Sequence, residues 1–290
     1  MKIGKAISGL WNANKNYFKS AVESRKINVQ TEYDYTELYD IVHKESEPCF
    51  VLSTGRCGTA LLTKILEGHS AIDVHHMPIP ELVYFSKFAY ENHKRLSKEI
   101  KYLIDAARYD QIRNSFLLKK TFIETNNRIT FFASQLAELY PKAKFIHLIR
   151  NPINFIKSGV ARNWYTGKNP HDEGHIILNH DLDVWNNYSQ TEKIAWLWNE
   201  TNQFIEDFKK TKDTTRVMTI FAEDLFKDPE TVINIFNFID KVPFSATKID
   251  ALIKTPVNKS NAKKIESVNL TTDEHLINLL SLSENYNYSI

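Results

Sequence analysis

The sequence predicts an α/β fold: an open parallel sheet with helices on both faces, in three α/β/α layers. Three observations lead there. Short apolar runs of strand length alternate with longer runs of helical spacing along most of the chain, the pattern of successive βα units whose sheet must be covered twice. KFIHLI (144–149) passes directly into Asn151-Pro152, a helix start with Asn as N-cap and Pro at the first helical position. Only eight glycines occur, so Gly55 and Gly58, set together between a strand and a helix, mark a turn that needs their conformational freedom.

The elements follow in order. Residues 1–26 carry Ile3, Ile7, Leu10, Trp11, Phe18 and Val22 at near-helical spacing among Lys2, Lys5, Lys15, Lys19, Arg25 and Lys26. Such a segment either packs on the domain or lies on an anionic membrane surface. It lacks the continuous apolar stretch of a signal peptide. Residues 1–45 are read as an N-terminal helical extension and 46–290 as a single domain. PCFVLS (48–53) is a strand, followed by the glycine turn and the helical ALLTKILEGH; AIDVH (71–75) is a strand. Residues 81–113 read as helices, SFLLKKT (115–121) as a strand, and ITFFASQLAELY (129–140) as an amphipathic helix ended by Pro141. In KFIHLI, Phe145, His147 and Ile149 alternate with Ile146 and Leu148, which assigns them to opposite faces. Residues 192–210 form a helix, RVMTIF (216–221) a strand, and DPETVINIFNFID (228–240) a helix with Asp228 as N-cap.

The 290 residues are 42% apolar and 25% charged, ordinary for a globular protein and long enough to bury a core without metal or disulfide staples. Disorder, collagen and coiled-coil rods are excluded as descriptions of the whole chain. Two cysteines, Cys49 and Cys57, make no disulfide framework and suggest a reducing, cytoplasmic compartment. A net charge of +2 is too small for a general nucleic-acid binder but allows a local basic pocket. No apolar run approaches the roughly 18 residues of a membrane span.

The stretch from Val51 to Leu62 reads as strand, tight turn and helix start. Successive backbone N–H groups there, with the helix dipole, form an anion cradle. Gly55 and Gly58 let the backbone close around a ligand, Arg56 adds charge, Thr59 offers a hydroxyl, and Cys57 and Ala60 contribute N–H groups. GxxxxGK[ST] is absent, and the later strand ends in Arg150 where a metal-binding Asp would stand. A kinase or nucleotide hydrolase, or a non-catalytic nucleotide-binding protein, therefore remains only as an alternative. In the second segment, Arg150 at a strand end can grip a phosphate bidentately, and Ser158, about two turns into the next helix, adds a hydroxyl.

Taken together, the glycine turn with GRCGT, YPKAKFIHLIRNP (140–152), SGVARNWYTG (158–167), EKIAWLWNETNQFI (192–205) and FAEDLFKDPETVINIFNFI (221–239) resemble the 3′-phosphoadenylyl-sulfate-dependent sulfotransferases, in particular the bacterial and glycan-type members. The resemblance spans roughly residues 46–265. It implies a P-loop-type fold and an enzyme that moves a sulfuryl group from 3′-phosphoadenylyl sulfate to a hydroxyl or amine of a glycan, glycolipid or other acceptor, with no metal required. It also implies that Gly55, Arg56, Cys57, Gly58, Thr59 and Ala60 hold the 5′-phosphosulfate, that Arg150 and Ser158 hold the 3′-phosphate, and that the basic stretch 257–264, with Lys259, closes over the nucleotide.

Two places depart from the family. A Glu base is common about twenty residues after the loop; that register here falls at His75-His76-Met77-Pro78. His76 is the expected base, with His75 next and Glu81 and Glu124 as carboxylate alternatives. The Lys often found after the following strand is missing, which leaves leaving-group stabilisation to Arg56, assisted by Lys119 or Lys120. His171, His175 and His180 show HxxxH spacing, but Pro170 and Gly174 argue for a loop rather than a ligating helix, and no metal is expected. Trp164, Tyr165 and Trp185 are read as lining an acceptor cleft, with core packing as the alternative.

Overall fold

The computed structural model describes residues 34–169, 172–255 and 274–288. The strands β1 (Cys49–Leu52), β2 (Ile72–His75), β3 (Thr121–Glu124), β4 (Lys144–Ile149) and β5 (Val217–Phe221) form a five-stranded sheet in the order β2-β3-β1-β4-β5. Every pairing is parallel, with Cys49 opposite Ile123 on one side and Lys144 on the other. The helices are α1 (Tyr35–Glu45), α2 (Thr59–Leu66), α3 (Val83–Asn92), α4 (Ser97–Leu117), α5 (Ala133–Leu139), α6 (Pro152–Val160), α7 (Leu182–Asn187), α8 (Gln190–Lys210), α9 (Ala222–Leu225), α10 (Pro229–Phe238), α11 (Ala246–Ile253) and α12 (Glu274–Leu279).

Strand alternation sorts the core into two layers. Phe50, Leu52, Phe145 and Ile149 pack with Ile104 and Ile112 of α4, Phe155 of α6, and Ile205 and Phe208 of α8. Cys49, Val51, Ile146 and Leu148 pack with Leu62 and Ile65 of α2, Ile235 and Phe236 of α10, and Ile249 of α11. The sheet is thus covered on both faces, as the alternation in KFIHLI requires. Several helix starts are set by side chains that satisfy otherwise unpaired N–H groups. Asn151 Oδ1 accepts from Asn154 N, Asp228 Oδ1 from Glu230 N, and Ser189 with Glu192 forms a full capping box. α1 buries Leu38 and Val42. After α12 the chain returns across the sheet's carboxyl edge, where the Tyr288 hydroxyl donates to Glu223.

One expected strand is displaced. Ser115, Phe116 and Leu117 are the last turn of α4, and the strand begins at Thr121. The helix ends in a Schellman motif: Lys120 N bonds Ser115 O, Lys119 N bonds Phe116 O, and Lys119 takes the left-handed conformation at φ 56°. A glycine there would have announced the stop; a lysine does not. ITFFASQLAELY is also two pieces, a 3-10 turn over Asn127–Phe132 and then α5. Residues 1–26, Lys259 with its stretch 257–264, and His171 lie outside the described residues. Among the described residues no helix is long and apolar enough to cross a membrane.

Candidate active site

The carboxyl ends of β1, β3 and β4 meet at the turn between β1 and α2. Gly55, Arg56 and Gly58 all have positive φ, at 80°, 56° and 97°, so three left-handed residues fold the loop back on itself. The loop is tied down by its own side chains. Ser53 exchanges two hydrogen bonds with the buried Thr130 hydroxyl, Gly55 N donates to Ser53 Oγ, and the Cys57 thiol donates to Gly55 O at 3.0 Å beside Thr54 Oγ1 at 3.1 Å. Burial pushes the Cys57 thiol up to about 11 despite its Thr54 contact, so it stays protonated and structural. A Cβ on Gly58 would stand 2.8 Å from the Phe226 ring, and one on Gly55 about 3.1 Å from the Asn127 side chain. Neither glycine can be replaced without moving a neighbour. Gly58 caps α2, and Thr59 and Ala60 are its first residues, so their N–H groups are orphan helix-start donors at the positive end of the dipole.

Three arginines converge on this loop. Arg150, at the end of β4, donates from Nη1 to the Arg56 carbonyl at 2.7 Å, with its guanidinium over the Phe226 ring. Its own carbonyl accepts from the Trp198 indole, and Asn151 N is held by Glu223. Arg162 donates from Nη1 to both Oγ and O of Ser158 at 2.9 and 3.0 Å. The Nε atoms of Arg56 and Arg150 are buried without a hydrogen-bond partner. Burial first, then the charges of Arg162 and Arg150, lower the pKa of Arg56; burial and Arg150 lower that of Arg162. Cations that repel one another around an orphaned pair of Nε donors are stabilised by an anion with several oxygens. Gly55, Arg56, Cys57, Gly58, Thr59, Ala60, Arg150 and Ser158 therefore lie together. Arg162, which no sequence pattern singled out, joins them from the turn after α6.

His76 follows β2. Its Nδ1 lies 2.9 Å from Thr125 Oγ1 at the end of β3 and 3.4 Å from Thr63 Oγ1 on α2. Burial, then the charge of Arg56, holds its pKa below the usual histidine value, which also places the ring within the field of the loop. His75 has a different environment: its Nε2 is 3.1 Å from Asp73 Oδ2, and its ring stacks on Phe122. Phe122 belongs to the layer under α4, whereas Val74 packs toward α2, so the alternation of β2 turns His75 toward the α4 side.

The remaining candidates are placed elsewhere. Glu124 is fully buried and gripped bidentately by Arg108, at 2.6 and 3.0 Å; both of its oxygens are engaged. Glu81 is exposed. Lys119 and Lys120 stand at the amino end of β3, about 13 Å of strand from the carboxyl edge, so they do not reach the loop; the expected assistance rested on the misplaced strand. His175 follows a 3-10 turn at Asp172–Gly174 and packs against Trp164 and Tyr165. Among the described residues no cluster of three His, Cys, Asp or Glu side chains could hold a metal. Trp164 and Trp185 are buried in the core, with Trp185 edge-on to Tyr165 and Trp196. They pack in the core rather than line an open cleft. Exposed apolar side chains instead follow His76 directly: Met77, Ile79, Tyr84, Phe85 and Phe88.

Comparison with known proteins agrees with this fold. Residues 48–244 match the profile of the Sulfotransferase family. No curated protein matches the sequence. Among solved structures, the sulfotransferase domain from the curacin biosynthetic pathway superposes with a TM-score of 0.53 at 16% identity, covering 85% of this chain and 99% of that one. The sulfotransferase domain of the Synechococcus PCC 7002 olefin synthase gives 0.50 at 19%, covering 85% and 97%. Sulfotransferase STF9 from Mycobacterium avium gives 0.50 at 10%, covering 89% and 80%. At these identities the structural likeness speaks for the fold.

Proposed function

The chain belongs to the sulfotransferase family, and on that premise we propose that it transfers the sulfuryl group of 3′-phosphoadenylyl sulfate to a hydroxyl or amine of a glycan, glycolipid or other acceptor. The observation that carries the reading is the trio Arg56, Arg150 and Arg162, two of them with orphaned buried Nε atoms, set around a helix start. The trio suits a ligand with two separate anionic groups. In this reading the loop from Gly55 to Ala60 takes the 5′-phosphosulfate, with Arg56 offsetting charge on the leaving phosphate. Arg150 and Ser158, the latter held by Arg162, take the 3′-phosphate.

His76 is the base. It accepts the acceptor's proton while the acceptor oxygen or nitrogen bonds to sulfur and the bridging S–O electron pair leaves with the phosphate. His75 is committed to Asp73 and stands behind it. The exposed apolar run from Met77 to Phe88 supports an acceptor whose hydroxyl is borne on an apolar body, as in a glycolipid. Residues 46–290 act as one catalytic unit, in the cytoplasm.

The deciding experiment is thermal unfolding with adenosine 3′,5′-bisphosphate in the presence of a chelator. At about a hundred times the dissociation constant the ligand adds ~2.7 kcal/mol to stability, a clear rise in melting temperature. Stabilisation by ATP with magnesium and none by the bisphosphate would instead favour a phosphate-transferring enzyme.

A further inference from the structure

The hydroxyl contacts beneath His76 leave their protons little choice. Thr63 Oγ1 lies 2.8 Å from the carbonyl of Thr59, one helical turn earlier. A carbonyl oxygen only accepts, so the Thr63 proton points at it. Thr63 Oγ1 also lies 2.7 Å from Thr125 Oγ1. One proton must sit between those two oxygens, and since that of Thr63 is already used, it comes from Thr125. Thr125 Oγ1 then meets His76 Nδ1 at 2.9 Å with its own proton spent, so it can only accept. The proton in that contact belongs to the imidazole. The longer 3.4 Å contact from Nδ1 to Thr63 Oγ1 has the same sense.

We infer that Thr63 and Thr125 are positioning residues that hold His76 as the Nδ1–H tautomer, leaving the Nε2 lone pair bare for the proton of the acceptor. The inference rests on the assignment of His76 as base and supplies what that assignment lacks, namely which nitrogen acts and what keeps it unprotonated. Nε2 has no hydrogen-bond partner among the described residues, while Nδ1 has two. The chain runs Nδ1–H to Thr125, Thr125 to Thr63, and Thr63 to the Thr59 carbonyl, so it starts at the ring and ends on the first residue of the helix that follows the anion loop. Threonine suits both positions: its branched Cβ restricts χ1 and leaves the hydroxyl few directions to point. With the opposite tautomer two hydroxyl protons would have to serve three short contacts, and reversing the chain would leave Thr63 Oγ1 and the Thr59 carbonyl facing each other as acceptors at 2.8 Å.

The direct test is nuclear magnetic resonance of the ligand-free protein with 15N-labelled histidine, using correlations from the ring carbon protons to the ring nitrogens. The His76 signals are assigned by their loss in His76→Asn. The expected result at neutral pH is a protonated Nδ1 and an unprotonated Nε2. A proton on Nε2 in the wild-type protein overturns the inference. Thr125→Val should move the ring toward the Nε2–H form and lower kcat by about 10- to 100-fold, as loss of a partner that orients an imidazole does, with the KM for the donor unchanged. Thr125→Ser should restore both. Should Thr125→Val not fold, Thr63→Val reads the same chain, because it frees the Thr125 proton to turn toward Nδ1, in competition with the His75 carbonyl at 3.4 Å, and so raises the share of the Nε2–H form. If Nδ1 is protonated yet His76→Ala retains normal turnover, the hydrogen-bond chain stands and the assignment of His76 as base fails; the two readings fail separately.

Discussion

Arg108 and Arg150 both serve the carboxyl edge of the same sheet, and they live under opposite rules. Arg108 is fully buried and brings its counter-ion with it: Glu124 binds it bidentately, and the carbonyls of Pro80 and Ala107 take further donors. Arg150, with Arg56 and Arg162 around it, keeps an Nε without a partner, and the two arginines set beside it are cations too. A guanidinium that holds the fold together is neutralised from within the chain. Under the proposed function, the one left incomplete is completed by the ligand. The comparison separates structural from functional arginines by their partners rather than by their depth.

The strongest way to break the comparison is Arg108→Ala. Leaving Glu124 buried and unpaired should cost about 3–5 kcal/mol, read as a large fall in urea midpoint or melting temperature. Arg108→Met with Glu124→Leu should recover most of it. Were Arg108→Ala to unfold no more easily than wild type, the pair would not be the structural one.

Arg150→Ala comes next and should behave in the reverse manner. The ligand-free protein should melt within a few degrees of wild type. Affinity for adenosine 3′,5′-bisphosphate should fall by about 1.5–3 kcal/mol, one to two decades. Adenosine 5′-phosphosulfate, which has no 3′-phosphate, should lose far less. Equal losses for the two nucleotides by calorimetry would place Arg150 at the other anionic group.

A finer cut distinguishes direct from indirect contact. Arg162 holds both oxygens of Ser158, so Arg162→Ala and Ser158→Ala should be less than additive in bisphosphate affinity, by about 0.5–1.5 kcal/mol. Strict additivity in the double-mutant cycle would mean that the two act independently.

The smallest effect concerns another internally compensated cation. The His43 imidazole lies 2.8 Å from Asp105, which joins α1 to α4. Burial alone would lower its pKa, but the hydrogen bonds to Asp105 and to the Tyr39 carbonyl outweigh burial and leave it above 6.5. With the folded value raised, the stabilisation is complete below the unfolded pKa of about 6.5 and drains away as pH climbs through the folded value. Melting curves between about pH 6 and 9 should show that decline in the wild type and a flatter profile in His43→Gln.

What could be read in the chain follows the same division. The sheet and the two segments proposed to bind anions were legible as structure because they depend on local signals: strand alternation in KFIHLI, Asn151-Pro152 as a helix start, and Gly55 with Gly58 in a turn. Arg162 was not, since it lies in the turn beyond α6 and follows no period. The ends of α4 and β3 were misplaced because Lys119 occupies a left-handed position that usually announces itself as glycine. Thr63 and Thr125 look like ordinary helix and strand residues, and only the closing of β3 against α2 brings their hydroxyls to 2.7 Å. The buried Trp164 and Trp185 show the limit of composition, since an aromatic suits a sugar and a core equally well.

The strand order has a consequence in time. β1, which carries the anion loop, has no neighbour in the sheet from its own vicinity. Its partners start at Thr121 and Lys144, so Cys49 must wait for residues 74 and 95 positions downstream, the separations 123 − 49 and 144 − 49 in the strand register. At ordinary translation speeds of about 5–20 residues per second, the central strand emerges roughly 5–20 s before both flanks exist. Contacts so distant along the chain also make spontaneous refolding slow. Through that interval CFVL presents both hydrogen-bonding edges and four apolar side chains to whatever is nearby. The segment at the heart of the finished enzyme is therefore the part of the nascent chain most in need of a chaperone.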